Sequence, residues 1–101
     1  MHKMLVLYPK GQDDAKFRGH YESKHLPLAA KLPGLLAYRY SFAIEGVRGA
    51  ESPYYCLFEA DFPDVATMGK AMQSPEGQAL GADVPNYVTV PPTIVHYEVQ
   101  G

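Results

Sequence analysis

The sequence predicts an α+β fold of order βαββαβ, a four-stranded antiparallel sheet with its helices on one face. Three observations lead there. Apolar and polar residues alternate with a period of two over residues 2–8, 35–44, 54–62 and 93–99. Helical stretches with apolar residues three and four apart separate the first strand from the second and the third from the fourth. The length of 101 residues makes this one domain, 1–101.

In the first strand His2, Met4, Val6 and Tyr8 form one face and Lys3, Leu5 and Leu7 the other. Pro9-Lys10-Gly11 breaks it. Asp13 or Asp14 then caps a helix by accepting bonds from its free N–H groups. Phe17, Tyr21 and Lys24/His25 make its stripe, and Pro27 ends it near Leu26 because proline disfavours helical geometry at the residue before it. Leu32-Pro33-Gly34 is a turn. The second strand, 35–44, sets Leu36, Tyr38, Tyr40 and Phe42 against Leu35, Ala37, Arg39, Ser41 and Ala43. A polar loop, 45–53, leads to the third strand. There Tyr54, Cys56, Phe58, Ala60 and Phe62 alternate with Tyr55, Leu57, Glu59 and Asp61. Pro63-Asp64 starts a second helix through about Met72 with Val65, Met68 and Met72 as its stripe. Ser74 caps a further short helix, with Pro75 at its first position, to about Ala82. Pro85 and Pro91-Pro92 punctuate the approach to the last strand.

The first three strands carry large apolar residues on both faces over part of their length. A face without helices needs other cover, because a large exposed apolar patch is unfavourable. A second copy of the sheet supplies it. The expectation is a homodimer packed through its sheet faces, with two-fold symmetry and a barrel-like interior. A chain of this length buries only about two-thirds of its unfolded surface, so association helps it.

Composition narrows the partners. The formal net charge is −2 and no basic run occurs, which argues against nucleic acid. No apolar run reaches the roughly 20 residues of a membrane span. The N-terminus lacks the pattern of a signal peptide, so a cytoplasmic location is expected. The single cysteine, Cys56, lies in an apolar run and reads as a small buried hydrophobe. Eight tyrosines, four phenylalanines and no tryptophan suit a partly wet cavity or an interface. The four histidines, His2, His20, His25 and His96, lack metal-ligand spacing; His20 and His25, five apart, fall on different faces of a regular helix. No phosphate loop or dinucleotide fingerprint occurs, so no cofactor is expected.

The most informative segment is Tyr21-Glu22-Ser23-Lys24-His25-Leu26-Pro27-Leu28. Its pattern Tyr21-x-x-x-His25-x-Pro27-Leu28, followed by Leu32-Pro33-Gly34-Leu35, resembles the EthD-like family, a branch of the dimeric α+β-barrel proteins. The Met4-Leu5-Val6-Leu7-Tyr8 strand and the Ser74-Pro75-Glu76-Gly77 break extend the resemblance over nearly the whole chain. The family takes its name from ethyl tert-butyl ether degradation. The resemblance implies a ferredoxin-like dimeric barrel and a place among small proteins of catabolic gene clusters. Proteins sharing that barrel include cofactor-independent monooxygenases, lactone isomerases, polyketide cyclases and decarboxylases. It sets the family's histidine at His25 and its tyrosine at Tyr21.

With an ordinary pKa of about 6.5, His25 can serve as acid or base, or bond a ligand oxygen. The competing structural role is to bond the last free carbonyls of its helix. Tyr21, one turn earlier, either orients His25 or a substrate, or packs in the core. Arg39 is a candidate for binding a carboxylate or enolate if it faces inward, and otherwise a solvated strand position. Tyr38, Tyr40 and Phe42 share a face that either lines the cavity or packs on helices. The expected function is a small cofactor-independent enzyme, an isomerase, cyclase or monooxygenase-like oxidoreductase. Its substrate would be an apolar oxygenated or aromatic compound, catabolic or biosynthetic. The alternative is a non-catalytic ligand-binding or accessory protein serving a partner oxygenase in a degradation pathway.

Overall fold

A computed structural model describes all of residues 1–101. The elements are β1 (His2–Pro9), α1 (Asp14–His20), a π-turn over Tyr21–His25, α2 (Leu26–Ala29) and β2 (Ala37–Ser41). After them come β3 (Tyr54–Phe62), α3 (Val65–Gln73), α4 (Pro75–Asp83) and β4 (Thr93–Glu98). The strands form one sheet in the order β2-β3-β1-β4, every neighbouring pair antiparallel. This is the expected ferredoxin-like arrangement.

Register assigns the two faces. Met4 pairs with Ala60 and His96, Val6 with Phe58 and Ile94, and Tyr40 with Phe58. These residues, with Tyr8, Cys56 and Tyr38, look toward the helices. Leu5 pairs with Glu59 and Val95, Lys3 with Asp61 and Tyr97, and Arg39 with Glu59. Those residues form the open face. It is divided: Leu5, Leu7, Leu57 and Val95 are apolar, whereas Lys3 and Arg39 straddle two carboxylates. Lys3 Nζ lies 2.7 Å from Glu59 Oε1, and Arg39 Nη2 lies 3.0 Å from Asp61 Oδ2.

Aromatic rings fill the core between β1, β3 and α1. Phe17 meets Tyr8, Tyr55 and Tyr87 edge-on at centroid distances of 5.0, 4.9 and 4.8 Å. Edge-to-face contacts at this range suit the ring quadrupoles. The caps follow the sequence. Asp13 accepts from the Lys16 N–H, Asp64 from the Thr67 N–H and Ser74 from the Gly77 N–H.

Two boundaries differ from expectation. The first helix does not stop near Leu26; the π-turn carries the helical path through Pro27 to Ala29. Pro27 has no N–H for the Ser23 carbonyl, and its ring would crowd that carbonyl in a regular α-helix. The π-turn absorbs one extra residue, with the Leu26 N–H bonded to the Tyr21 carbonyl. β2 spans only Ala37–Ser41 rather than 35–44. At its far end the Ala43 N–H bonds the Ser41 hydroxyl at 3.0 Å, a local bond that competes with the ladder. No helix is long and apolar enough to cross a membrane.

Gly77 lets α4 pack close to the end of α3. A β-carbon there would run into the carbonyl oxygens of Ala71 and Met72. Gly77→Ala should therefore cost about 1–3 kcal/mol. Thermal unfolding should show a Tm lower by about 4–8 °C per kcal/mol. An unchanged Tm contradicts this close approach.

Candidate functional site

The π-turn determines what His25 can reach. In a regular α-helix residues five apart point about 140° away from each other. The wider turn brings His20 and His25 to the same side, contrary to the expectation of different faces. Both bind one carboxylate at the end of α4. His20 Nε2 is 2.8 Å from Asp83 Oδ1 and His25 Nδ1 is 2.9 Å from Asp83 Oδ2. Asn86 Nδ2 donates to the same Oδ1 at 3.0 Å. Burial pushes the Asp83 carboxyl up, but the bonds from Asn86, His20 and His25 outweigh it and hold Asp83 below the ordinary carboxylate value of 3.8. Asp83 is therefore an acceptor only.

That assignment orders the protons. His25 Nδ1–H donates to Asp83, which leaves Nε2 free to accept. The Tyr87 hydroxyl lies 3.0 Å from His25 Nε2 and 2.6 Å from the Tyr8 hydroxyl. The chain thus runs Tyr8 O–H to Tyr87 O–H to His25 Nε2, with His25 Nδ1–H to Asp83. His25 is buried, and its burial lowers its pKa from 6.5 despite the opposing pull of Asp83. The resting imidazole is neutral. Burial, the largest influence, pushes Tyr8 up to about 12 and raises Tyr87 further still, so both hydroxyls keep their protons at neutral pH. Cys56, pushed up to about 12 by burial, stays an unreactive thiol.

His25 and Tyr8 line a cavity of about 440 Å³ between the sheet and α2, α3 and α4. The rest of its wall is mainly apolar, including Val6, Phe58, Met68 and Met72. Size and lining suit a small organic ligand held by few polar groups. The cavity lies between the sheet and its helices, not between two sheets as the barrel argument anticipated. It reaches β4, whose Ile94 is 58% exposed on the helix side.

The other sequence-predicted residues lie elsewhere. Tyr21 is fully buried beside His25, its ring stacked on the imidazole at 5.3 Å and 21°. Its hydroxyl sits near Tyr8 and Cys56 without a hydrogen bond of normal geometry. Tyr38 stacks on Phe58, the Tyr40 hydroxyl donates to Glu22 Oε2 at 2.7 Å, and Phe42 lies under the Arg18 guanidinium at 4.1 Å. Arg39 is on the opposite face of the sheet in the ion pairs described above. None of these five lines the cavity. Sequence reasoning missed Tyr8, His20, Asp83 and Tyr87. Pro27, two residues beyond a helical histidine, was the available signal for a π-turn and hence for His20. Nothing local marks Asp83 or Tyr87, which lie 58 and 62 residues from His25.

The family model described as the EthD domain matches residues 9–91. The chain belongs to the EthD family. It is 33% identical over 89 residues to an uncharacterized 11.0 kDa protein in the thcB–thcC intergenic region of Rhodococcus erythropolis, covering 88% of this chain and 85% of that one. A crystal structure of an EthD family protein from Bacillus halodurans superposes with a TM-score of 0.88 at 31% identity, covering 99% of both chains. Two more distant structures share the fold alone. One is a dimeric protein of ferredoxin-like fold from Bacteroides fragilis, with a TM-score of 0.69, 14% identity and coverage of 97% and 95%. The other is an antibiotic biosynthesis monooxygenase, with a TM-score of 0.63, 15% identity and full coverage of both chains.

The buried network gives this EthD-family chain a defined pH response. His25 has a folded pKa below 6.5, so as pH falls through 6.5 the unfolded chain takes up a proton that the folded chain refuses. Asp83 adds a further loss as pH falls below 3.8. Tyr8 and Tyr87, held above 10.0 when folded, reverse the sign at alkaline pH: only the unfolded chain ionises them, and stability falls again. Urea midpoints should be highest between 6.5 and 10.0 and decline on both sides. A midpoint that rises on acidification through 6.5 would mean that folded His25 gains a proton instead.

Proposed function

We propose that this EthD-family protein is a small cofactor-independent enzyme that moves a proton on an apolar, oxygenated or aromatic compound, with His25 as acid and base. The observation that carries this reading is the His25–Asp83 pair set against a mainly apolar cavity. Both ring nitrogens of His25 are engaged by the protein, so a ligand meets the imidazole through Tyr8 and Tyr87. The Tyr8 oxygen keeps lone pairs for a ligand O–H. As the ligand gives its proton to Tyr8, Tyr8 passes its own to Tyr87 and Tyr87 passes its own to His25 Nε2. The ligand is left as an oxyanion, and the new imidazolium faces the Asp83 carboxylate. Returning the proton to a different ligand atom completes an isomerisation or cyclisation. A neutral imidazole beside a fixed carboxylate is the arrangement that stabilises such a transient cation.

The working unit in this proposal is a homodimer joined through the open sheet faces. Leu5, Leu7, Leu57 and Val95 favour it, as does the dimeric state named for the Bacteroides fragilis neighbour. No nucleic acid or membrane partner enters the proposal, and its setting is the cytoplasm.

The enclosure of both His25 nitrogens also favours a second reading, a binding protein that holds the same compound for a partner oxygenase. Native mass spectrometry of freshly purified protein, followed by denaturation and detection of released molecules, tests what the two share. A dimer carrying an apolar oxygenated compound is expected, and a bare monomer contradicts both. On that compound, His25→Ala should lower turnover by roughly 10²-fold or more. Binding with no product at all selects the carrier.

A further inference from the structure

The cavity has a second polar end. Tyr8 and Met4 lie on the same face of β1, four residues apart, which is about 13 Å along the strand. His96 on β4 pairs with Met4, so its side chain meets the same cavity at the end away from Tyr8. The wall between the two ends is carried by apolar residues, among them Val6 and Ile94.

His96 is not a spectator on an exposed strand. Its Nδ1 lies 2.8 Å from Nε2 of the buried His2, and their rings are 5.0 Å apart and tilted by 49°. That bond fixes the ring and leaves His96 Nε2 with no partner in the chain. A ring nitrogen of this kind donates to, or accepts from, one ligand oxygen according to its tautomer. The near end, Tyr8, offers a second such contact.

We infer that the cavity takes an elongated, rigid, mainly apolar molecule with an oxygen function at each end, the first at Tyr8 and the second at His96. This rests on the cavity reading above and specifies its ligand class. His96 is then a specificity-determining residue: it sorts molecules by the oxygen remote from the reacting end. A single neutral hydrogen bond is modest in net terms, so its removal should change affinity without abolishing it.

The test compares para-hydroxystilbene with para,para′-dihydroxystilbene, two apolar rods that differ only in the second hydroxyl, by fluorescence titration of the intact protein. The dihydroxy compound should bind the wild type about three- to tenfold more tightly. In His96→Phe, which keeps a ring on the exposed strand, that preference should vanish while para-hydroxystilbene binds as before. Equal binding of both compounds by the wild type overturns the second contact and leaves the cavity standing. A preference that survives in His96→Phe overturns the assignment to His96. If neither compound binds, the cavity reading falls and this inference with it.

Discussion

The Asp83 carboxylate is the constraint on which the site depends. It is a buried charge held by three donors, and an unpaired carboxylate in that position would be strongly unfavourable. Its partners come from three parts of the chain: His20 before the π-turn, His25 within it, and Asn86 just after α4. Removing any one leaves the others with an incompletely satisfied charge. The carboxylate therefore couples the geometry of the first helix to that of the last one. It also fixes the proton on His25 Nδ1, which sets the direction of the hydrogen bonds through Tyr87 to Tyr8.

The π-turn explains how one carboxylate can serve two histidines that the sequence spaces five apart. Pro27 makes a regular helix unfavourable at that point, and the fold uses the resulting bulge instead of ending the helix. Ser23, in the bulge, directs its hydroxyl to the Gly19 carbonyl at 2.7 Å, a local bond that further loosens regular α geometry. Tyr21 then packs flat on one face of the His25 ring and meets Tyr8 and Tyr87 edge-on. Local backbone irregularity, aromatic packing and the polarity of the site are thus one arrangement.

The sequence revealed the architecture because it is written in short periods: alternation in the strands and capping aspartates before α1 and α3. It also revealed His25, through its spacing from Tyr21 and Pro27. The sequence was less clear where structure depends on distant residues. Asp83 sits at the end of a helix expected to stop at Ala82, and no local pattern ties it to His25. The face of Arg39 follows only from the β2–β3 register, where it stands opposite Glu59. Tyr38, Tyr40 and Phe42 do share the inward face, but Tyr38 stacks on Phe58, Tyr40 meets Tyr21 and Glu22 of the π-turn, and Phe42 meets Phe17 and Arg18 of α1. The cavity instead lies on the other side of the sheet's centre, toward β4, where the helical layer is incomplete.

The measurement that tests this account most directly is nitrogen-15 NMR of the histidine rings at neutral pH. His25 should be neutral, with the proton on Nδ1 and an unprotonated, hydrogen-bonded Nε2. Asp83→Asn should shift the His25 signals, while Arg39→Ala should leave them in place. A His25 that is an imidazolium at neutral pH, or that carries its proton on Nε2, would contradict the proton order on which the proposed chemistry rests.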